Sequence, residues 1–365
     1  HRTYSDNKQR LALHGKLDYS LSPQHKFTWY NGFLTMVDDQ VRTGVTDQTS
    51  DIRLKHNRQQ IYNTTLSGTH DFPSCHMQVD WKGVYSNARN KTPDNTEIFL
   101  QGSHIQTNKA ATRRWEHNTD KDKAAYLNLT YHPTDNWTVK TGGMYRDKVR
   151  TSFFNEYTFD SSTGTEQYQV YGTDWNNFDE ILITPRAYGN VGDPLNYDAT
   201  EKIGGVYGMA TYQKGKMEVV GGIRAEHTNQ GYVLKYPRST QGEGNQKYWD
   251  CLPDLHLKYH LTEKMNLHLS YARAINRPSF FEIVPYSIIN EEYKEKGNPD
   301  LKHTVADNLD LRWEFFPQAA EQLMVGFFYK HLQNPIEYGL ISEGQDLYYT
   351  PLNLGTANNT GIELD

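Results

Sequence analysis

The sequence predicts an all-β fold: an antiparallel transmembrane β-barrel, as a fragment of about 13 strands, with tight turns at one end and long loops at the other. Three observations predict it. Greasy and polar residues alternate with period two over stretches of about ten residues, the length of a membrane-crossing strand. Short connections alternate with long ones along the whole chain. Composition is aromatic but apolar-poor, with 26 Tyr, 14 Phe and 7 Trp beside only 36% hydrophobic residues and a mean hydropathy of -0.82. A soluble core of this size would draw on more Leu, Ile and Val.

Hairpins come in order. "LALHGKLDYSLSPQHKFTWYNGFLTM" pairs residues 11–21 with 26–36, and "IYNTTLSGTHDFPSCHMQVDWKGVYS" pairs 61–71 with 75–86. "AAYLNLTYHPTDNWTVKTGGMYRDKV" and "IGGVYGMATYQKGKMEVVGGIRAEHT" follow. "PDLHLKYHLTEKMNLHLSYARA" then sets Leu255, Leu257, Tyr259 and Leu261 on one face, with Asp254, His256, Lys258 and His260 on the other. "ADNLDLRWEFFPQAAEQLMVGFFYKHL" makes a sixth hairpin, and "TGIELD" starts a thirteenth strand. One face suits hydrocarbon; the other suits water or a polar filling.

The connections between hairpins span roughly 37–58, 87–122, 150–202, 229–251, 276–303 and 333–358. Structureless loops longer than about 15 residues are uncommon in compact soluble domains. Antiparallel order puts all tight turns at one end and all long loops at the other, and in an outer-membrane barrel these ends are periplasmic and extracellular. Tyr19, Phe27, Trp29, Tyr131, Trp137, Tyr259, Phe315 and Phe316 gather beside the tight turns and would form one interfacial girdle. A β-helix or propeller would repeat at a fixed period, which these hairpins do not.

Several classes drop out. There is no run of 18 apolar residues to span as a helix. A net charge of -6 argues against nucleic acid as a partner, and Cys75 and Cys251 form neither a disulfide framework nor a metal motif. The opening "HRTYSDNKQR" has no initiating Met and no signal peptide, so residues 1–365 read as one partial barrel domain, an internal fragment.

"LPDLHLKYHLTEKMNLHLSYARAINRPSFFEIVPY", "GNPDLKHTVADNLDLRWEFF", "LMVGFFYKHLQNPIEY" and "NLGTANNTGIELD" stand in that order over about residues 252–365. Together they resemble the second half of a TonB-dependent outer-membrane receptor barrel of the Bacteroidetes type. The earlier half carries the generic hairpin pattern, with "EVVGGIRAEHT" a weaker match. The resemblance implies a barrel of about 22 strands closed around a plug domain, of which this chain would supply about strands 4–16 without plug or terminal strands. It implies import: a siderophore, haem, glycan or peptide is caught by the extracellular loops, and energy passed through TonB opens a path. The implied partners are TonB through the absent plug, outer-membrane lipid, and a surface lipoprotein covering the barrel. No cofactor is implied.

Site residues would then be contacts. Aromatic, amide and carboxylate groups in the loops suit a sugar, peptide or chelate: Trp115, Tyr171, Asp174, Trp175, Asn176, Asn177, Phe178, Trp249, Tyr286 and Tyr348. Rings that merely pack the loops over the mouth are the alternative. Lumen-facing Arg146, Arg224, Glu226, Asp310, Arg312 and Glu314 would grip the plug, or else pair among themselves along a wet wall. Arg273 and Arg277 lie where a strand leaves the membrane, and parity leaves their direction open. His256 and His260, four apart on a strand, are about 13 Å apart and cannot share one metal ion. No nucleophile elbow, HExxH, P-loop or dinucleotide turn is present, so no catalytic residue is expected. Against this reading stand a passive porin-like channel, which would lack the plug, and a soluble β carbohydrate-binding protein or glycoside hydrolase using Asp174, Asp179 and Glu180.

Overall fold

The computed structural model describes residues 1–46, 48–101, 104–105, 110–161, 183–185, 195–236, 242–289, 294–318 and 321–365. Among them thirteen long strands follow in chain order: β1 (Arg2–Ser22), β2 (His25–Val45), β3 (Thr49–Phe72), β4 (Met77–Gln101), β5 (Ala111–Thr134), β6 (Trp137–Ser161), β7 (Tyr197–Lys214), β8 (Met217–Leu234), β9 (Glu243–Thr262), β10 (Met265–Asn276), β11 (Thr304–Phe315), β12 (Leu323–Gln333) and β13 (Thr356–Leu364). Each pairs antiparallel with the next, so the sheet is one continuous meander from β1 to β13. Across the apolar band each internal strand therefore pairs its backbone on both sides, as a wall facing hydrocarbon must.

The tight turns lie where the alternation places them. Pro23 and Gln24 join β1 to β2, Asp135 and Asn136 join β5 to β6, and Glu263 and Lys264 join β9 to β10. Gly215, at φ 60, makes the β7–β8 turn in the left-handed region where glycine is unstrained. A short 3-10 turn, Pro73–Cys75, closes β3 onto β4 and ends on His76 at φ 54.

Strand length departs from expectation. Strands β1 to β9 run for 18 to 25 residues, about twice what a bilayer requires. The stretches 37–58, 87–122 and 229–251 are therefore mostly strand: β2 and β3 meet across residues 46–48, and β8 and β9 flank residues 235–242. The reason is solvent. Above the hydrocarbon both faces meet water, so greasy-polar alternation stops while the backbone ladder continues, as in "NARNKTPDNTEIF" of β4. There Thr92 and Pro93 oppose the single residue Asn57, a bulge that accommodates proline's missing N–H.

Outward-facing positions carry the apolar band. On β5 they are Ala125, Leu127, Leu129 and Tyr131, on β9 Leu255, Leu257, Tyr259 and Leu261, and on β11 Leu309, Leu311 and Trp313. The girdle beside the tight turns has a counterpart at the other edge of the band, where Tyr62, Tyr85, Tyr145, Tyr271 and Tyr329 share the same face.

A compact apolar core exists at the mouth. The β10–β11 connection turns inward and carries a one-turn helix, α1 (Phe280–Ile283). Phe280, Ile283, Val284, Tyr286 and Leu301 of this connection pack against Phe154 of β6, Tyr197 and Ala199 of β7, and Tyr232 and Leu234 of β8. A second, four-stranded sheet lies with it, in the order Ser287–Ile289, Lys294–Lys296, Asp346–Asn353, Ile336–Glu343. It joins this loop to the β12–β13 loop through a parallel pairing of Lys294 with Tyr348.

Candidate ligand site at the barrel mouth

The site is built on the inward loop, residues 277–303. Ser279 caps α1 by accepting from the Glu282 N–H, and the Glu282 carboxylate accepts from the Ser279 N–H, a reciprocal capping box. Gly297 then passes over the helix end so closely that a Cβ there would stand 1.9 Å from the Val284 carbonyl oxygen. Only glycine fits.

Polar groups fasten the loop to the inner faces of β8 and β9. Arg277 donates to the Thr228 hydroxyl at 3.0 Å and pairs with Glu226, which also pairs with Arg224. Gln230 Nε2 donates to the Pro278 carbonyl at 2.8 Å, and Gln246 Nε2 to the Leu301 carbonyl at 2.7 Å. The His303 ring stacks on Tyr248 with centroids 4.0 Å apart, and its Nε2 lies 2.9 Å from Asp250. Burial pushes the Tyr248 hydroxyl up to about 12. From β6, Lys148 and Arg150 lie over the Phe280 ring at 5.3 and 5.5 Å.

Between this loop and the β8–β9 hairpin is a cavity of about 200 Å³, lined by Gln230, Glu243, Asn245, Gln246, Ile283 and Asp300 among others. Gln230 is 1% exposed and its Oε1 has no partner. A buried amide oxygen facing a polar cavity is an acceptor awaiting a donor. Deeper in the barrel, a cavity of about 400 Å³ lies on the inner wall against His256, Lys258, His268, Asp310, Arg312 and Glu363.

The structure divides the residues expected from sequence. Tyr286 is 1% exposed and donates to Glu295 at 2.7 Å; it is a core residue and offers no face to a ligand. Burial, with Glu295 adding to it, raises its hydroxyl pKa. Trp249 is 72% exposed, but it lies on the outward face of β9 beside His227, away from the mouth. Trp115 likewise faces outward on β5, with Tyr157 at 5.8 Å and the Arg113 guanidinium at 5.4 Å. Both sit on strands where loops were expected, and the inward–outward alternation of those strands turns them away. Tyr348 is in the small sheet with Lys294 and Lys296 over its ring. Tyr171, Asp174, Trp175, Asn176, Asn177 and Phe178, with Asp179 and Glu180, lie outside the described residues.

The lumenal set faces inward as placed, and most of it is paired. Arg146 Nε donates to Asp122 at 2.9 Å, with Glu201 at 3.6 Å. Arg312 lies 2.9 Å from Glu314, which also meets His268 at 2.9 Å and Asn266 at 3.2 Å. Asp310 lines the deeper cavity. Arg224 and Glu226 hold the loop through Arg277. The direction of two arginines is now settled: Arg273 pairs outside with Asp307 at 2.8 Å, and Arg277 points inward. His256, His260 and His268 take separate neighbours, Asp254, Asn266 and Glu314. Sequence reasoning passed over Gln230, Asp250 and His303. The available signal was Ser279-x-x-Glu282 just after a strand, which marks a helix inside an expected loop.

A membrane-spanning barrel wall with a loop folded into its mouth defines the class. The chain belongs to the outer membrane protein beta-barrel family, whose pattern matches residues 70–365, and its place is the bacterial outer membrane. The expectation of a soluble β-protein is thereby overturned. No curated protein matches the sequence. Among solved structures the fold is similar to the siderophore receptor PirA from Pseudomonas aeruginosa, at 14% identity and TM-score 0.53, covering 97% of this chain and 59% of that one. It is similar to the copper transporter OprC at 13% identity and TM-score 0.59, covering 99% and 58%. A variant of the ferric enterobactin receptor PfeA from Pseudomonas aeruginosa matches at 14% identity and TM-score 0.55, covering 100% and 58%. The chain thus spans less than two thirds of the length of each of these.

Proposed function

We propose that this chain is the barrel part of an outer-membrane receptor that binds a ligand at its mouth and imports it with energy passed through TonB. The observation that carries the reading is the inward loop: it fills one side of the mouth, leaves a polar cavity with an unpaired buried Gln230 oxygen, and stands over a charged lumenal wall. The fold it shares with a siderophore receptor and a copper transporter supports the same reading. A siderophore, haem, glycan or peptide would be held by hydrogen bonds from such a cavity and by loop aromatics, Tyr348 and the residues from 171 to 178. No covalent step is needed, so the protein is not an enzyme in this reading.

Planar-bilayer conductance of the complete protein is the test. A plugged receptor leaves the bilayer closed, and a panel of ferric siderophores, haem, oligosaccharides and peptides then identifies one class that raises its melting temperature. Stable open-channel conductance without ligand would instead establish the passive porin.

A further inference from the structure

Beyond ligand uptake, the outer wall of β3, β4 and β5 carries a second feature. Just above the upper tyrosines, Arg58, Arg89, Lys91, Lys121 and Lys123 all face outward and all are exposed. Arg58 stands directly opposite Lys91, and Lys91 opposite His117. Arg89 is diagonal to both Arg58 and Lys121 across the ladder. The patch measures roughly 20 Å along the strands and 10 Å across them.

Like charges directly opposite in a sheet are destabilising, and none of these five has a hydrogen bond or ion pair. Elsewhere on the outer wall Arg113 is matched by Asp94 at 2.7 Å and Arg273 by Asp307 at 2.8 Å, while an unmatched cation such as Lys247 stands without a second cation opposite it. At the lower margin Asp147 lies between Lys123 and Lys202 in register, one carboxylate between two cations. Burial, then the charges of Lys91 and Arg89, holds the His117 imidazole below its ordinary pKa.

Position names the occupant. On β5, Lys123 and Lys121 continue the outward row Leu129, Leu127, Ala125, one and two pleats beyond its end. On β4 the row Trp81, Gly83, Tyr85 leads through Asn87 to Arg89 and Lys91. A lipid whose acyl chains lie along the apolar rows has its headgroup at the height of the cations. The side is the one away from the tight turns, hence the outer leaflet.

We propose that Arg58, Arg89, Lys91, Lys121 and Lys123 form a binding site for the phosphorylated headgroup of an outer-leaflet lipid. The lipid binds by two parts at once, phosphate on the cations and chains on the apolar face of β4 and β5. Such attraction weakens as salt rises.

The complete protein, purified in detergent, is titrated with phosphatidylcholine vesicles containing phosphorylated lipid A or its dephosphorylated form. Binding at least about tenfold tighter to the phosphorylated lipid is expected, falling with salt. The combined variant R58Q/R89Q/K91Q/K121Q/K123Q loses that preference, while Lys247→Gln, an outer-wall cation on β9, keeps it. Heat-modifiable gel mobility checks that each variant is a folded barrel. The milder pair Lys121→Gln and Lys123→Gln, expected to lose part of the preference, serves if the fivefold variant fails to fold. Equal binding to both lipids, or a folded variant with its preference intact, overturns the proposal. Inorganic phosphate competing as well as the lipid would also overturn it, because the chains would then contribute nothing.

Discussion

The two halves of this sheet are held differently. In β1 to β5 the inner wall is a polar lattice in which side chains pair with one another: Arg42 with Asp51 at 2.7 Å, Asn57 with Thr92 at 3.2 Å, and, reaching from β6, Arg150 with Asp120 at 2.6 Å. In β6 to β9 the same wall is covered by the loop 277–303, and there alone among the described residues a hydrophobic cluster forms. Strand pairing needs no core. The loop does, since a one-turn helix cannot persist without tertiary packing.

The largest effects should therefore follow from changes that detach the loop. Arg277→Ala leaves Glu226, 8% exposed, without one of its two arginines, and Phe280→Ala empties the centre of the cluster. Each should cost the docked loop about 3–5 kcal/mol, enough to undock it while the sheet survives. Hydrogen exchange would show loss of protection over 277–303 with β1 to β5 unchanged. Equal loss in both halves would mean that the halves are not independent. Gly297→Ala comes next: the new methyl meets the Val284 carbonyl, so the same segment should lose protection by a shift of the crossing.

Smaller effects sharpen the comparison. Ser279→Ala removes one arm of the capping box and should cost about 1 kcal/mol. The expected result is faster exchange confined to α1. Gln230→Leu removes the bond to the Pro278 carbonyl and also the unpaired oxygen in the cavity. Ligand affinity should fall about tenfold or more, read by titration of the ligand class that the stability panel identifies, with barrel melting unchanged.

The sequence was legible where one face meets lipid and the other does not. Leu127, Leu129, Leu255 and Leu311 alternate with Asn128, His256 and Asp310, and the strand boundaries at the tight turns follow. Ten residues higher the pattern vanishes because both faces are polar, which is why "NARNKTPDNTEIF" read as loop and Trp115 and Trp249 as mouth residues. Period-two hydrophobicity reports the solvent around a strand, and the ladder itself leaves no such trace. Tyr286 was misread for the opposite reason: an aromatic in a loop gives no sign that the loop folds inward until its Phe280, Ile283 and Leu301 neighbours are seen to meet Tyr197 and Tyr232.

The last difference is between the buried core under the loop and the small sheet above it, which is tied by exposed charge. Lys294 pairs with Asp346, Lys296 with Glu343, and Asn353 Nδ2 donates to the Lys302 carbonyl at 3.0 Å. Lys294 holds the Asp346 carboxyl below its ordinary value by hydrogen bond and charge. A lowered native pKa contributes stability that is present above the ordinary carboxylate range and lost as pH falls through the lowered value. Both groups are solvated, so the contribution is small and screened by salt. Acid should therefore part the two loops while α1 stays docked. Spin labels at Ser287→Cys and Ser342→Cys, with Cys75 and Cys251 changed to Ser, would report the distance between the loops by pulsed EPR. A broadened distance distribution below about pH 4, reproduced at neutral pH by Asp346→Asn, is the expected outcome. An unchanged distribution under both conditions would show that the strand pairing of Lys294 with Tyr348 and the core beneath it hold the loops together without the ion pair.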